Sequence, residues 1–209
     1  MDVTTWWIFA CATALIAATP GPNMLHIMTR SVRFGFRAST VAMAGCLSAV
    51  LLCVTASSLG LGALLMTSRG LFEVLRYIGV AYLLWLAWKS WTAEDAAVDG
   101  APTVAATRPL PPLVMYRTAL FTGLSNPKLI VFAAAFFPQF IHADRPWGPQ
   151  FAILVATFAT IEVCCYLAYA AGGRRLAAYL SSVSRRRLFN RLTGGLFGLF
   201  GIGLFAYRA

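Results

Sequence analysis

Long apolar runs, each near the length of a bilayer crossing, alternate with short polar stretches along this chain. A transmembrane helix needs about 20 predominantly apolar residues. The pattern predicts six: about Thr5 to Met28, Ala38 to Met66, Leu71 to Trp88, Leu113 to Ile141, Trp147 to Ala171 and Leu192 to Tyr207. Arg30, Arg33 and Arg37, with Gly35 among them, read as a short basic loop, and Thr67, Ser68 and Arg69 as a tight turn. After Lys89 the character changes. Thr92 to Pro112 is polar and rich in Ala and Pro, and Pro109, Pro111 and Pro112 exclude a continuous helix near its end. It divides the chain into a first three-helix repeat (1–91), a cytoplasmic linker (92–112) and a second three-helix repeat (113–209).

Two of the apolar runs are interrupted near their middles. The first contains Ala18-Thr19-Pro20-Gly21-Pro22-Asn23-Met24, and the fourth contains Leu124-Ser125-Asn126-Pro127-Lys128. Proline removes a backbone donor and clashes with the preceding turn. In lipid, a broken backbone must be satisfied by protein or line a cavity. The break falls in the first span of each half. An odd number of spans per half makes the halves insert in opposite directions, which is the inverted-repeat plan of many secondary transporters. The expected fold is therefore an all-α membrane protein of six transmembrane helices, two inverted three-helix repeats with helices 1 and 4 broken.

Composition agrees. Of 209 residues, 59% are hydrophobic and 11% charged, with a mean hydropathy of +0.73; soluble domains carry about 25% charge. The net charge of +10 would suggest nucleic acid in a soluble protein. Here the basic residues flank apolar segments, so topology explains them and no nucleic acid is implied. One side holds twelve: Arg30, Arg33, Arg37, Lys89, Arg108, Arg117, Arg174, Arg175, Arg185, Arg186, Arg187 and Arg191. The other holds four: Arg69, Arg76, Arg145 and Arg208. The first side is read as cytoplasmic and both termini as outside. Met1-Asp2-Val3 lacks the positive start of a signal peptide, so the first span is read as uncleaved. Cys11, Cys46, Cys53, Cys164 and Cys165 lie in apolar segments without metal spacing, so neither a metal nor a cofactor is expected.

The breaks are where chemistry concentrates. Half-helices starting near Pro20 and Pro127 would bring their N-termini to the midplane, where free N–H groups suit a carboxylate. The half-helices ending there leave free carbonyls that suit an ammonium. A zwitterion fits such a site, with Pro20, Gly21, Pro22, Asn23, Ser125, Asn126, Pro127 and Lys128 as its candidate substrate-binding residues. Asn23, Ser125 and Asn126 serve either the freed backbone or the substrate. Lys128 is a cation deep in a span, and such groups cost about 2.5–3.5 kcal/mol on insertion scales. Glu162, midway through the fifth span, is the candidate proton-coupling group, with Lys128 as its candidate partner. Gly194, Gly198 and Gly201 make a small-residue stripe that suits either a homodimer face or packing within the monomer.

Thr-Pro-Gly-Pro-Asn in the first span, Gly45 in the second, and Leu-Ser-Asn-Pro-Lys followed by Phe136-Phe137-Pro138-Gln139-Phe140 resemble the LysE/RhtB family of amino-acid exporters. The resemblance covers essentially the whole chain. It implies efflux of an amino acid or derivative across a bacterial inner membrane, driven by the proton gradient. Some family members carry Asp where Asn23 stands, so basic amino-acid export is not carried over. Two other readings compete. A membrane redox protein of a related three-plus-three fold would use cysteines in its first and fourth spans. Cys11 is far from the first break, and the fourth span has none. A non-transporting subunit of a membrane complex has no need of Glu162 and Lys128.

Overall fold

The computed structural model describes residues 1–67, 69–92, 110–142, 144–180 and 182–206, and all its regular elements are helical. Most of the linker therefore lies outside the described residues, as does the chain beyond residue 206. The first apolar run is two helices, α1 (Val3–Ala18) and α2 (Pro22–Phe34), bent by 52°. Thr19 takes the extended conformation that a following proline imposes, and Pro22 occupies the first turn of α2, where a missing N–H costs nothing. The fourth run breaks in the same way, by 54°, between α5 (Pro112–Leu124) and α6 (Pro127–Val131). Here Asn126 is the N-cap, and its side chain accepts from the backbone N–H of Lys128 at 3.1 Å. α6 continues through a π turn (Phe132–Phe136) and a 3₁₀ turn (Phe137–Phe140). Such irregular turns inside helices recur at functional sites.

The remaining helices are α3 (Phe36–Thr67), α4 (Arg69–Trp91), α7 (Trp147–Leu180) and α8 (Val183–Ala206). Among the described residues, Phe36–Leu59 of α3 and Trp147–Gly173 of α7 are long and apolar enough to cross a membrane alone, and each bent pair qualifies as one further span. Two expected loops are helical instead. The basic stretch before Ala38 shrinks to a single reversal at Gly35, where φ is 88°, a value that favours glycine. The basic stretch after Ala171 extends α7 to Leu180 and begins α8 at Val183. Hydropathy marks where a helix leaves lipid, whereas Arg, Leu and Ala favour helix on either side of that boundary.

The second helix of each half packs on the broken helix of the other: α3 on α5, and α7 on α1 and α2. The third helices, α4 and α8, pack on each other. Glycines make the crossings close. A Cβ at Gly45 would run into the Tyr116 carbonyl and stand 2.9 Å from the Ala119 Cβ. A Cβ at Gly123 would meet Ala49 across the same interface. Gly194, Gly198 and Gly201 face Ala87 and Leu84 of α4, so this stripe packs within the monomer. Gly45→Val is expected to push α3 off α5. Overpacking of this kind costs about 1–3 kcal/mol, read as a lower unfolding midpoint in detergent. Gly172→Ala, with nothing within 4 Å of the added methyl, serves as the neutral control. An unchanged midpoint for Gly45→Val would mean that the crossing is loose.

Apolar side chains cover the outside as well as the core: Leu52, Ile78, Trp88, Leu113, Phe121 and Leu199 are all exposed. Exposed apolar surface on that scale is membrane-facing. Inside, the described residues form two apolar clusters. Phe9, Phe132, Phe136, Phe137, Leu154 and Phe158 belong to one. Met24, Ile27, Met43, Met115, Tyr166 and Tyr169 belong to the other. Beside the aromatic cluster, the start of α1 is tied to the loop before α7: Arg145 donates to Asp2 at 3.0 and 3.4 Å. That hydrogen bond and charge hold the exposed Asp2 carboxyl below its usual range.

Candidate functional site

The two breaks meet. Asn126 donates from Nδ2 to Asn23 Oδ1 at 3.1 Å, joining residues 103 apart in the chain. Both side chains are buried, at 1% and 4% exposure, so each amide serves chiefly the other break or its own backbone. Asn126 thus caps α6 with its oxygen and clamps Asn23 with its nitrogen.

Three carbonyls at the end of α1, those of Ile16, Ala18 and Thr19, accept from side chains, and Ile16 O also accepts from the Thr19 N–H. Lys128 Nζ donates to Ile16 O and Thr19 O, each at 2.9 Å, and lies 3.4 Å from Thr19 Oγ1. Thr19 Oγ1 donates in turn to Ile16 O at 2.6 Å. Tyr169 OH donates to Ala18 O at 2.7 Å. These carbonyls suit an ammonium, as the sequence suggests, but the ammonium they hold is the chain's own. The expected pairing of Lys128 with Glu162 is therefore not what the structure shows. Among the described residues no ion pair joins them, and Glu162 Oε2 is buried without a hydrogen-bond partner. The physical reason is the break itself: unpaired carbonyls at a helix C-terminus carry partial negative charge and sit within reach of Lys128.

Lys128, Glu162, Asn23 and Asn126 nonetheless line one cavity, walled by Ile16, Met24, Leu129, Phe132 and Phe158. Its volume is about 10 Å³, room for a single water and far too little for an amino acid. The polar groups are thus brought together in a closed conformation. A larger cavity, about 410 Å³, lies between α1, the Phe136–Phe140 turns and α8. Its walls are apolar apart from Thr5 and Gln139, and Leu15 and Leu199 at its edge are exposed. It offers no charge for a zwitterion, so the smaller cavity at the breaks is the candidate site.

The other sequence candidates take lesser places. Gly21 is buried beneath the Lys128 side chain, and a Cβ there would stand 3.1 Å from Cε. Pro20 is half-buried, while Pro22, Ser125 and Pro127 are exposed and do not line the cavity; the prolines act by shaping the backbone. Thr19 lies within the first break but has no role of its own in the sequence pattern, and Tyr166 and Tyr169 are absent from it. The fully buried Tyr166 places its hydroxyl beside Glu162 and Asn23. A signal existed for both tyrosines, since positions four and seven beyond Glu162 share its helical face. The cysteines are free thiols, and no group of three or more His, Cys, Asp or Glu among the described residues could hold a metal.

Comparison with known proteins converges on one family. A model described as LysE type translocator matches residues 14–208. The chain is 33% identical over 208 residues to a homoserine/homoserine lactone efflux protein of Salmonella typhi, covering 100% of this chain and 99% of that one. It is 31% identical to an uncharacterized membrane protein of Vibrio cholerae, covering 94% of each. It is 28% identical to a leucine efflux protein of Salmonella choleraesuis, covering 99% and 95%. No solved structure matches the chain.

Proposed function

The chain belongs to the LysE type translocator family, and from that premise we propose that it exports a small amino acid or amino-acid derivative across a bacterial inner membrane, coupled to the proton gradient. The observation that carries this reading is the convergence of Lys128, Glu162, Asn23 and Asn126 on one cavity where two broken helices meet. Homoserine, homoserine lactone and leucine, the compounds that relatives are named for, share a primary ammonium. The lactone has no free carboxylate. A site built around helix-end carbonyls suits that common group.

Six spans in two inverted repeats are the arrangement proposed, with both termini outside and the linker in the cytoplasm. The exchange of packing partners between halves, α3 with α5 and α7 with α1 and α2, supports it. So does the excess of basic residues on one side. Alternating access then opens the polar layer first past one apolar cluster and then past the other.

The direct test is efflux from cells preloaded with a labelled amino-acid mixture. Overexpression is expected to lower retention of one or a few compounds against an empty vector, and equal retention of all of them overturns the reading. Orientation has its own check. Thr92 and Asp144 are both exposed, so cysteine reactivity there reports only the side of the membrane. In whole cells Thr92→Cys should resist an impermeant thiol reagent and Asp144→Cys should react. The reverse pattern would invert the topology.

A further inference from the structure

Lys128 sits where the amino group of a substrate would be expected. Its three donors meet three acceptors, Ile16 O, Thr19 O and Thr19 Oγ1. None of these is specific for lysine, because any primary ammonium presents the same three N–H groups. The arm that brings Nζ there lies across Gly21, where a Cβ would stand 3.1 Å from Cε and 3.2 Å from Nζ. Gly21 has φ −132° and ψ 178°, an extended backbone that any residue adopts. A side chain here would press on the Lys128 arm, so the contact, rather than backbone conformation, is what a glycine relieves at this position.

Two further observations supply a second place for the same ammonium. The cavity lined by Lys128, Asn23, Asn126 and Glu162 adjoins it, and Glu162 Oε2 is buried there with no hydrogen-bond partner. An unpartnered buried acceptor in a native structure calls for an explanation. A second void of about 10 Å³, bounded by Ile16, Tyr82, Leu86 and Phe132, also touches Lys128. The side chain thus has open space beside it and a free carboxyl oxygen to turn to.

We propose that Lys128 is a tethered stand-in for the substrate's ammonium: Ile16 O, Thr19 O and Thr19 Oγ1 form a subsite for primary alkylammonium groups, which Lys128 fills when the transporter is empty and leaves for Glu162 when substrate arrives. This rests on the exporter reading above and goes beyond it in assigning the ammonium subsite and its resident competitor. The exchange keeps the carbonyls paired throughout, since an unpaired buried acceptor is costly. It also selects: only a group with three N–H donors replaces the lysine fully, so primary ammonium compounds enter and quaternary ones do not.

The test is binding of isoamylammonium to purified protein in detergent, comparing the wild type with Lys128→Met, which keeps a linear apolar stem without the charge. Removing an internal competitor should tighten isoamylammonium binding roughly tenfold or more, because the open subsite is only a minor population in the wild type. Trimethyl-isoamylammonium should bind neither protein. Equal or weaker isoamylammonium binding by the variant, no binding by either protein, or binding of the quaternary compound overturns the proposal. A measurement on the wild type covers the case in which the variant fails to fold. The chain has two lysines, Lys89 and Lys128, and Lys89 is exposed, with Nζ over the Trp85 ring at 4.9 Å. With lysine isotope-labelled at the ε carbon, saturating isoamylammonium should move the Lys128 resonance and leave Lys89 in place. A Lys128 signal that stays put overturns the stand-in. Export in the efflux assay without either effect removes this inference and leaves the exporter reading intact. A wild type that exports nothing removes the exporter reading, whichever amines it binds.

Discussion

Glu162→Gln is expected to abolish uphill transport driven by a pH gradient while leaving substrate exchange across vesicles. Glu162 is 6% exposed, midway along α7, with Oε2 unpartnered at the cavity that also holds Lys128. An ionisable group in the membrane interior without an ion pair is a functional candidate by default. Glutamine preserves its volume and one carbonyl oxygen but neither ionises nor releases a proton. The cavity should therefore still form and open, and a counter-substrate should still exchange. The link between proton and substrate should be gone, so accumulation against a gradient falls to the level of protein-free vesicles. Uphill transport at the wild-type rate would rule out Glu162 as the coupling group. Loss of exchange as well would instead mean that binding itself needs the carboxylate, either as a substrate contact or as the group that receives Lys128.

Replacing Pro20, Gly21 and Pro22 together by alanine is expected to reduce efflux to the empty-vector level while the protein still inserts. A proline inside a helix costs about 3 kcal/mol, so alanines at these positions favour one continuous helix through the first span. In that helix the N–H of residue 20 pairs with Ile16 O, and that of Asn23 with Thr19 O, by the ordinary four-residue spacing. Thr19 O, an acceptor of Lys128, thereby gains a backbone partner, and the short turn from Thr19 N–H to Ile16 O is replaced by a regular helical bond. A methyl group at position 21 also meets the Lys128 arm. The 52° bend that brings Asn23 to Asn126 is lost with them. Efflux per cell and the amount of protein in the membrane fraction, measured on the same culture, separate a functional loss from a folding one. Normal efflux would mean that the break only helps the helices to pack.

Much of this was written along the chain. Breaks at Pro20–Pro22 and Asn126–Pro127 are local events, because a missing N–H and a fixed φ act on the residues beside them. Long apolar runs state their solvent directly, so the helical membrane class was legible in one dimension. Helix ends were less so: α7 and α8 run through basic stretches that hydropathy assigns to loops.

What the chain could not state was which groups face one another. A membrane helix is apolar toward lipid and toward its neighbours alike, so periodicity does not mark its inner face. Tertiary structure alone decided that Asn126 clamps Asn23 and that the glycine stripe of α8 lies on α4. It also decided that Lys128 binds the end of α1 rather than Glu162. The sequence determined that a broken helix carries a lysine, and the unbroken α7 a carboxylate, within long apolar runs. Which partner the lysine takes depends on carbonyls 109 and 112 residues away, and those reach it only once the helices have packed.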